Sequence, residues 1–324
     1  MEHEVIGIGN ALMDILTQVD EKKILALGLQ KGIFNLVDED KSSEVLKALD
    51  VDELKLVPGG SVANTMAGIA NMGGKAMFYG RVGKDEHGDN YHNLMKKAGV
   101  ASQIVKGAGR TGTAITLITP DSQRTFATHL GVATSLEHSS LDEAHIKSAK
   151  ILHITGYQLE VPAIRKSVFH AMEIAKNNGV LISLDVADPN LVLRANTDIK
   201  EIIENYVDIV FANEEEAFGL LKMSPINALN RLSKMCDIAV VKYGDKGSFV
   251  KQGAEVYHAD VHKVKAIDTT GAGDMYAAGF LYGLCKGYKL EKCANIASYA
   301  AAKIVEVVGA RLPFSIKHDI ERMF

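Results

Sequence analysis

Three cysteines, Cys236, Cys285 and Cys293, are all that 324 residues contain. They form no C-x-x-C pair and an odd number cannot close into a disulfide framework, so a reduced, cytoplasmic setting is the simplest reading. Clusters of four or more basic residues are absent, and the net charge is −4. That argues against a dedicated surface for nucleic acid or anionic membrane. No apolar run approaches the ~20 residues needed to span a bilayer. The opening "MEHEVIGIGN" is acidic and enters a strand-like run at once, unlike a secretory signal. Linkers rich in Pro, Gly or Ser, internal repeats and low-complexity tracts are missing too. A single domain over residues 1–324 is therefore expected. Both common nucleotide loops are also lacking. "GIGNAL" (7–12) has Leu12 where the third glycine of a dinucleotide fingerprint should stand, and "GAGRTG" (107–112) leads into a strand-like run instead of a helix. "NMGGKA" fails as a Walker loop, with Ile69 for its first glycine and Ala76 for its Ser or Thr.

What is present alternates. Short β-branched runs, "EVIGIG" (4–9), "GGKAMFYGRVG" (73–83), "AKILHIT" (149–155), "VLISLDV" (180–186), "VDIVFAN" (207–213) and "DIAVVKYG" (237–244), are separated by helical patterns. In 163–178, for example, Ile164, Val168, Ala171, Met172 and Ala175 recur at helical spacing. This predicts an α/β fold with a mostly parallel sheet covered on both faces, and a ligand site at the carboxyl ends of the strands. Residues 103–131 break the pattern: polar and apolar residues alternate around a Pro-Asp-Ser turn, which predicts a hairpin. With "GIFNLVD" (32–38) it would form a small second sheet.

Four stretches carry candidate chemistry. "DTTGAGD" (268–274) sets two glycines and an aspartate at the start of an apolar helix. The N–H groups of Gly271, Ala272, Gly273 and Asp274 would cradle an anion, and Asp274 could take the proton of an attacking hydroxyl. "NEEEAF" (213–218) reads as a capping box of Asn213 with Glu216, and equally as a holder of hydrated Mg²⁺ near phosphates. In "PGGSVANTMAG" (58–68), Ser61 reads as an N-cap. Alternatively, Gly59 and Gly60 let a polar ligand reach the backbone, with Asn64 facing it one turn later. Asp14 is either a loop cap or an acceptor for two neighbouring hydroxyls. Together these point to phosphoryl transfer to an alcohol.

The stretches "GGSVANTMAGIANMGGKAMFYGRVGKDEHGDNY" (59–91) and "DTTGAGDMYAAGFLYGL" (268–284) resemble the two signatures of the ribokinase/PfkB family of sugar and nucleoside kinases. The resemblance covers almost the whole chain. It implies a ribokinase-like αβα sandwich with a small β lid from about 12–38 and 103–131. It implies ATP and Mg²⁺ as cofactors, Asp274 as base, and Asn10, Asp14, Gly60 and Asn64 on the acceptor's hydroxyls. Asn213 and Glu216, the latter through water to Mg²⁺, would serve the phosphates. "KYGDKGSF" (242–249), with Lys242, Gly244 and Gly247, would border the ATP site together with Thr269 and Ser298. A monovalent cation, K⁺, is implied on Asp268, Thr270 and "VVGARLPF", where Pro313 replaces a serine common in relatives. Arg124 matches an arginine that reaches the transferred phosphate as the lid closes. "GIGNALMDIL" (7–16) and "CANIASYAAAKIVEVVGARLP" (293–313) are similar to the adenosine-kinase branch. Adenosine, phosphorylated at its 5′-hydroxyl, is thus the expected acceptor, with Phe34, Leu36 and Tyr157 either walling the base or packing the lid and covering the end of the sheet. The alternatives are a fructose, ribose or keto-acid sugar kinase, or a non-catalytic binding regulator on the same fold. The partner is a small molecule, and the lid edge leaves monomer and homodimer both open.

Overall fold

The computed structural model describes residues 3–50, 54–121 and 123–323. Its strands in chain order are β1 (Val5–Ile8), β2 (Leu12–Gln18), β3 (Phe34–Leu36), β4 (Lys55–Gly59), β5 (Ala76–Gly83), β6 (Ala101–Gly107) and β7 (Gly112–Ile118). There follow β8 (Arg124–His129), β9 (Ile151–Thr155), β10 (Leu181–Asp185), β11 (Ile209–Asn213), β12 (Ile238–Lys242), β13 (Ser248–Gln252) and β14 (Glu255–Ala259). They make two sheets. The larger runs β14-β13-β12-β11-β10-β9-β1-β5-β6, and it is parallel except for β13 and β14. The smaller runs β3-β8-β7-β2-β4 and mixes parallel with antiparallel pairs.

Strand alternation sorts the core into two layers. Val5, Phe78, Ile151 and Phe211 pack on one face of the large sheet, beneath the Ser61–Asn71, Ala272–Cys285 and Leu290–Ile304 helices. Ile6, Tyr79, Leu152 and Val210 pack on the other, beneath the Pro162–Asn177, Pro189–Tyr206 and Glu214–Leu221 helices. This is the expected αβα sandwich with a β lid. The Ala272–Cys285 helix is buried from Met275 through Gly283, because it lies between two other helices and the sheet. A Cβ on Gly68 would come within 2.7 Å of Ala278, so a glycine there lets the Ser61–Asn71 helix press against it.

Two strand placements differ from the expectation. The hairpin is β7 with β8 only, since 101–107 instead joins β5 as the edge strand of the large sheet. The lid also gains β4, at its other edge, where Pro58 removes no needed ladder bond. Among the described residues no helix is long and apolar enough to cross a membrane.

Candidate active site

Gly271 starts the Ala272–Cys285 helix at φ +77°, and a Cβ there would lie 2.8 Å from the Ala310 Cα. Both facts demand glycine. The turn sets Asp274 in the first helical turn, against the start of the Ser61–Asn71 helix. Ser61 Oγ donates to Asp274 Oδ1 at 2.6 Å, and Asn64 Nδ2 donates to Oδ2 at 3.0 Å. Burial pushes the Asp274 carboxyl up to about 6, against the pull of these two bonds. A carboxyl so raised takes up a proton more readily than an exposed one. Ser61 is not the N-cap expected of it. Gly60 holds that position at φ +93°, and the Ser61 hydroxyl is directed to the base instead.

Of the four expected cradle donors, the Ala272 N–H turns back onto the Thr269 carbonyl at 3.2 Å. Those of Gly271, Gly273 and Asp274 have no acceptor among the described residues. Lys242 stands over them, because a Cβ on Gly273 would meet its Nζ at 3.2 Å. Lys242 pairs with Asp185 at 2.9 Å. Burial opposes the ammonium, but Asp185 and Glu216 outweigh it and hold the proton on. At the end of β11 the capping box is present: Glu216 N donates to Asn213 Oδ1 at 2.8 Å, and both Glu216 oxygens accept from Asn213 at 2.7 Å. Burial raises the Glu216 carboxyl above its ordinary range, with Lys242 opposing and Asp185 adding. Both Glu216 oxygens are engaged within the cap.

One cleft of about 770 Å³ joins these groups. Asn213, Glu216, Lys242, Gly244, Gly247 and Ser298 line one part of it, and Thr269, Gly271, Ala272, Gly273, Asp274 and Tyr157 the rest. The Ser298 hydroxyl is engaged by the Asp260 carbonyl at 2.6 Å, so it contributes shape more than a hydrogen bond.

The acceptor side is built where β1 passes into the lid. A Cβ on Gly59 would fall 2.0 Å from Asp14 Oδ1, and one on Gly60 2.1 Å from the Asn10 carbonyl oxygen. The two glycines therefore admit the chain's own Asp14 and Asn10 to the backbone, where a ligand was expected. Burial pushes Asp14 up to about 7, Arg311 opposing and Asp274 adding. Asn10 Oδ1 is buried without a partner among the described residues, an acceptor open to a donor.

Cross-strand register continues this surface. Residues paired across strands share a face, so Asp14, Ala114, Thr128 and Leu36 form one row. Leu16, Thr116, Phe126 and Phe34 form the next, and Arg124 follows opposite Ile118. Phe34 and Leu36 are 51% and 65% exposed and do not line the cleft, but they lie on the lid face that carries Asp14 and Arg124.

Arg124 reaches neither cradle nor phosphate position here. Its Nη2 pairs with Asp268 Oδ2 at 2.5 Å and its Nη1 donates to Thr270 Oγ1 at 2.8 Å. Asp268 further accepts from Thr270 N at 2.9 Å and Gly309 N at 2.5 Å. These side chains do not fit the K⁺ role, since a guanidinium already supplies the positive charge. Asp185, Tyr91 and Arg311 also belong to the site although sequence reasoning did not single them out. Tyr91 Oη donates to the Gly59 carbonyl at 2.9 Å, and Arg311 Nε to Asn64 Oδ1 at 3.1 Å.

A buried carboxylate beside a helix start whose N–H groups lack acceptors, in a cleft of about 770 Å³, fits the arrangement of a phosphotransferase. The chain belongs to the pfkB family of carbohydrate kinases, which it matches over residues 22–317. ATP-dependent kinase activity comes with that membership. The structure of adenosine kinase from Sinorhizobium meliloti is similar over 100% of both chains, with 30% identity and a TM-score of 0.92. Adenosine kinase from Saccharomyces cerevisiae is 29% identical over 340 residues, covering 97% of this chain and 98% of that protein. A 5-dehydro-2-deoxygluconokinase from Shouchella clausii is 30% identical over 261 residues, covering 76% of this chain and 80% of that protein.

Proposed function

We propose that the protein transfers the γ-phosphoryl group of ATP to the 5′-hydroxyl of a nucleoside, adenosine, with Asp274 as general base. The observation that carries the acceptor is the lid face: a carboxylate able to receive a vicinal diol, Asp14, is continuous with Leu36, Phe126 and Phe34. A riboside needs both, hydroxyl acceptors for the sugar and a flat apolar wall for the base. Tyr157, at the cleft, supplies a further aromatic surface. The likeness to two adenosine kinases supports the same reading.

In the reaction the 5′-hydroxyl gives its proton to Asp274 while its oxygen bonds to the γ-phosphorus. The bond from that phosphorus to the bridging oxygen breaks, and ADP leaves. Gly271, Gly273 and Asp274 offer their N–H groups to the charge on the moving phosphoryl, and Lys242 adds a fixed positive charge. The acidic donor set of Asp185 and Glu216 on the cleft wall suits hydrated Mg²⁺, which when bound would neutralise charge on the ATP phosphates. Ser61 and Asn64 hold the Asp274 carboxylate in place for the proton. A sugar acceptor is the second reading, favoured by the likeness to 5-dehydro-2-deoxygluconokinase.

The test is a crystal soaked with adenosine and an unhydrolysable ATP analogue. The ribose diol should lie on Asp14, with the 5′-oxygen within about 3 Å of Asp274. Adenosine bound with its 5′-oxygen turned away from Asp274, or absent from the cleft, would overturn the reading.

A further inference from the structure

We propose that Arg311 is a positioning residue of the acceptor site: its guanidinium fixes the Asn64 amide that orients Asp274. This rests on the reading of Asp274 as base and Asp14 as hydroxyl acceptor. An asparagine amide presents an oxygen at one end and an NH₂ at the other, and only the NH₂ can meet the Asp274 carboxylate. Arg311 has donors and no acceptor, so its Nε–H, 3.1 Å from Asn64 Oδ1, permits one amide orientation and forbids the flipped one. That orientation delivers Nδ2 to Asp274 Oδ2 at 3.0 Å.

The Tyr91 hydroxyl lies against the rest of the guanidinium. Nη1 donates to the Met95 thioether at 3.2 Å, a weak acceptor, and Nη2 is buried with no partner among the described residues. A cation so placed costs stability and is hard to explain by packing alone. Its position is fixed by the loop that also braces the cradle, where Ala310 packs under Gly271 and Gly309 N bonds Asp268. Facing Asp14 are Arg311, Asp274 and the Tyr91 hydroxyl. Facing Asp274 are Arg311, Asp14, Asp185, Lys242 and the Tyr157 hydroxyl. Arg311 is thus the cation on the acceptor side, as Lys242 is on the phosphate side. Without it the two carboxylates repel each other and both bind protons more tightly.

Arg311→Met and Arg311→Lys test this, with kcat and both KM values followed from pH 5.5 to 9. The Met variant should lose roughly 10–100-fold in kcat, and its acid limb should move up by about one pH unit or more. KM for ATP should stay within about twofold, because the nucleotide side is untouched. The Lys variant should return the acid limb towards wild type, while kcat stays low because an ammonium lacks the planar fork. A Met variant with unchanged kcat and pH profile would reduce Arg311 to packing. If that variant does not fold, Arg311→Lys in an Asn64→Ala background carries the test. Its kcat should match that of Asn64→Ala alone, and additive losses would contradict action through Asn64. ¹³C titration of the Asp14 and Asp274 carboxyls in the free protein needs no acceptor. Midpoints that fail to rise in a folded Arg311→Met protein overturn this inference. A wild type that phosphorylates no nucleoside overturns only the proposed function.

Discussion

Asp274 carries a charge that its surroundings resist, and this gives the proposed base a recognisable signature. Its carboxyl is pushed up to about 6 and that of Asp14 up to about 7, both chiefly by burial. Each must be ionised to act, so kcat/KM should fall as pH drops below about 7 and fall more steeply below about 6. A profile flat down to pH 5 would contradict both assignments. Asp274→Asn keeps the shape and removes the proton acceptor, so kcat should fall by roughly 10²–10⁴ with acceptor KM little changed. The same substitution should not destabilise the protein at pH 8. A carboxyl whose folded pKa is raised loses stability as pH climbs from its unfolded value through the folded one, and Asn escapes that loss. Melting curves should therefore place the variant level with or above wild type at pH 8, with the difference shrinking towards pH 4. Asp274 stood out because two glycines precede it at a helix start, and Asp14 because its neighbours after the first strand are mostly apolar. Arg311 did not, since it meets Asn64 only after a chain separation of 247 residues and no local pattern marks it.

The glycines at the helix start divide into two kinds. Gly271 is structural as well as functional: alanine there would be forced to φ +77° against Ala310, costing about 1–2 kcal/mol for the backbone alone. Gly273 has no such constraint, since an added Cβ meets only the end of the Lys242 side chain at 3.2 Å. Gly273→Val should therefore retain the circular dichroism spectrum and nearly the wild-type Tm, yet lose activity by roughly 10²-fold or more as it blocks the cradle and displaces the ammonium. Global unfolding of this variant would mean the glycine serves architecture. The misplaced strands have physical causes of the same local kind. Residues 101–107 alternate like a hairpin strand because β6 lies at a sheet edge, with neighbours on one side only. Pro58 hid β4, because proline argues against a strand unless that strand is an edge.

The mostly parallel large sheet and its two helical layers were legible throughout, because buried parallel strands read as apolar runs separated by helical periods. How the lid meets the body was not. That contact includes the ion pair of Arg124 with Asp268 and the bonds of Arg124 to Thr270 and of Tyr91 to the Gly59 carbonyl, between residues distant in the chain. A lid held this way should tighten when an acceptor fills the cleft, since phosphoryl transfer must exclude water. Hydrogen exchange across 112–129 should slow when adenosine is added, and unchanged exchange at saturation would indicate a site that stays open. The whole account rests on the acceptor, and kcat/KM compared across adenosine, inosine, ribose and fructose tests it most directly. Adenosine should exceed every free sugar by at least about tenfold, equivalent to ~1.4 kcal/mol in transition-state binding. A free sugar that beats adenosine by that margin would contradict the nucleoside reading and leave a sugar kinase.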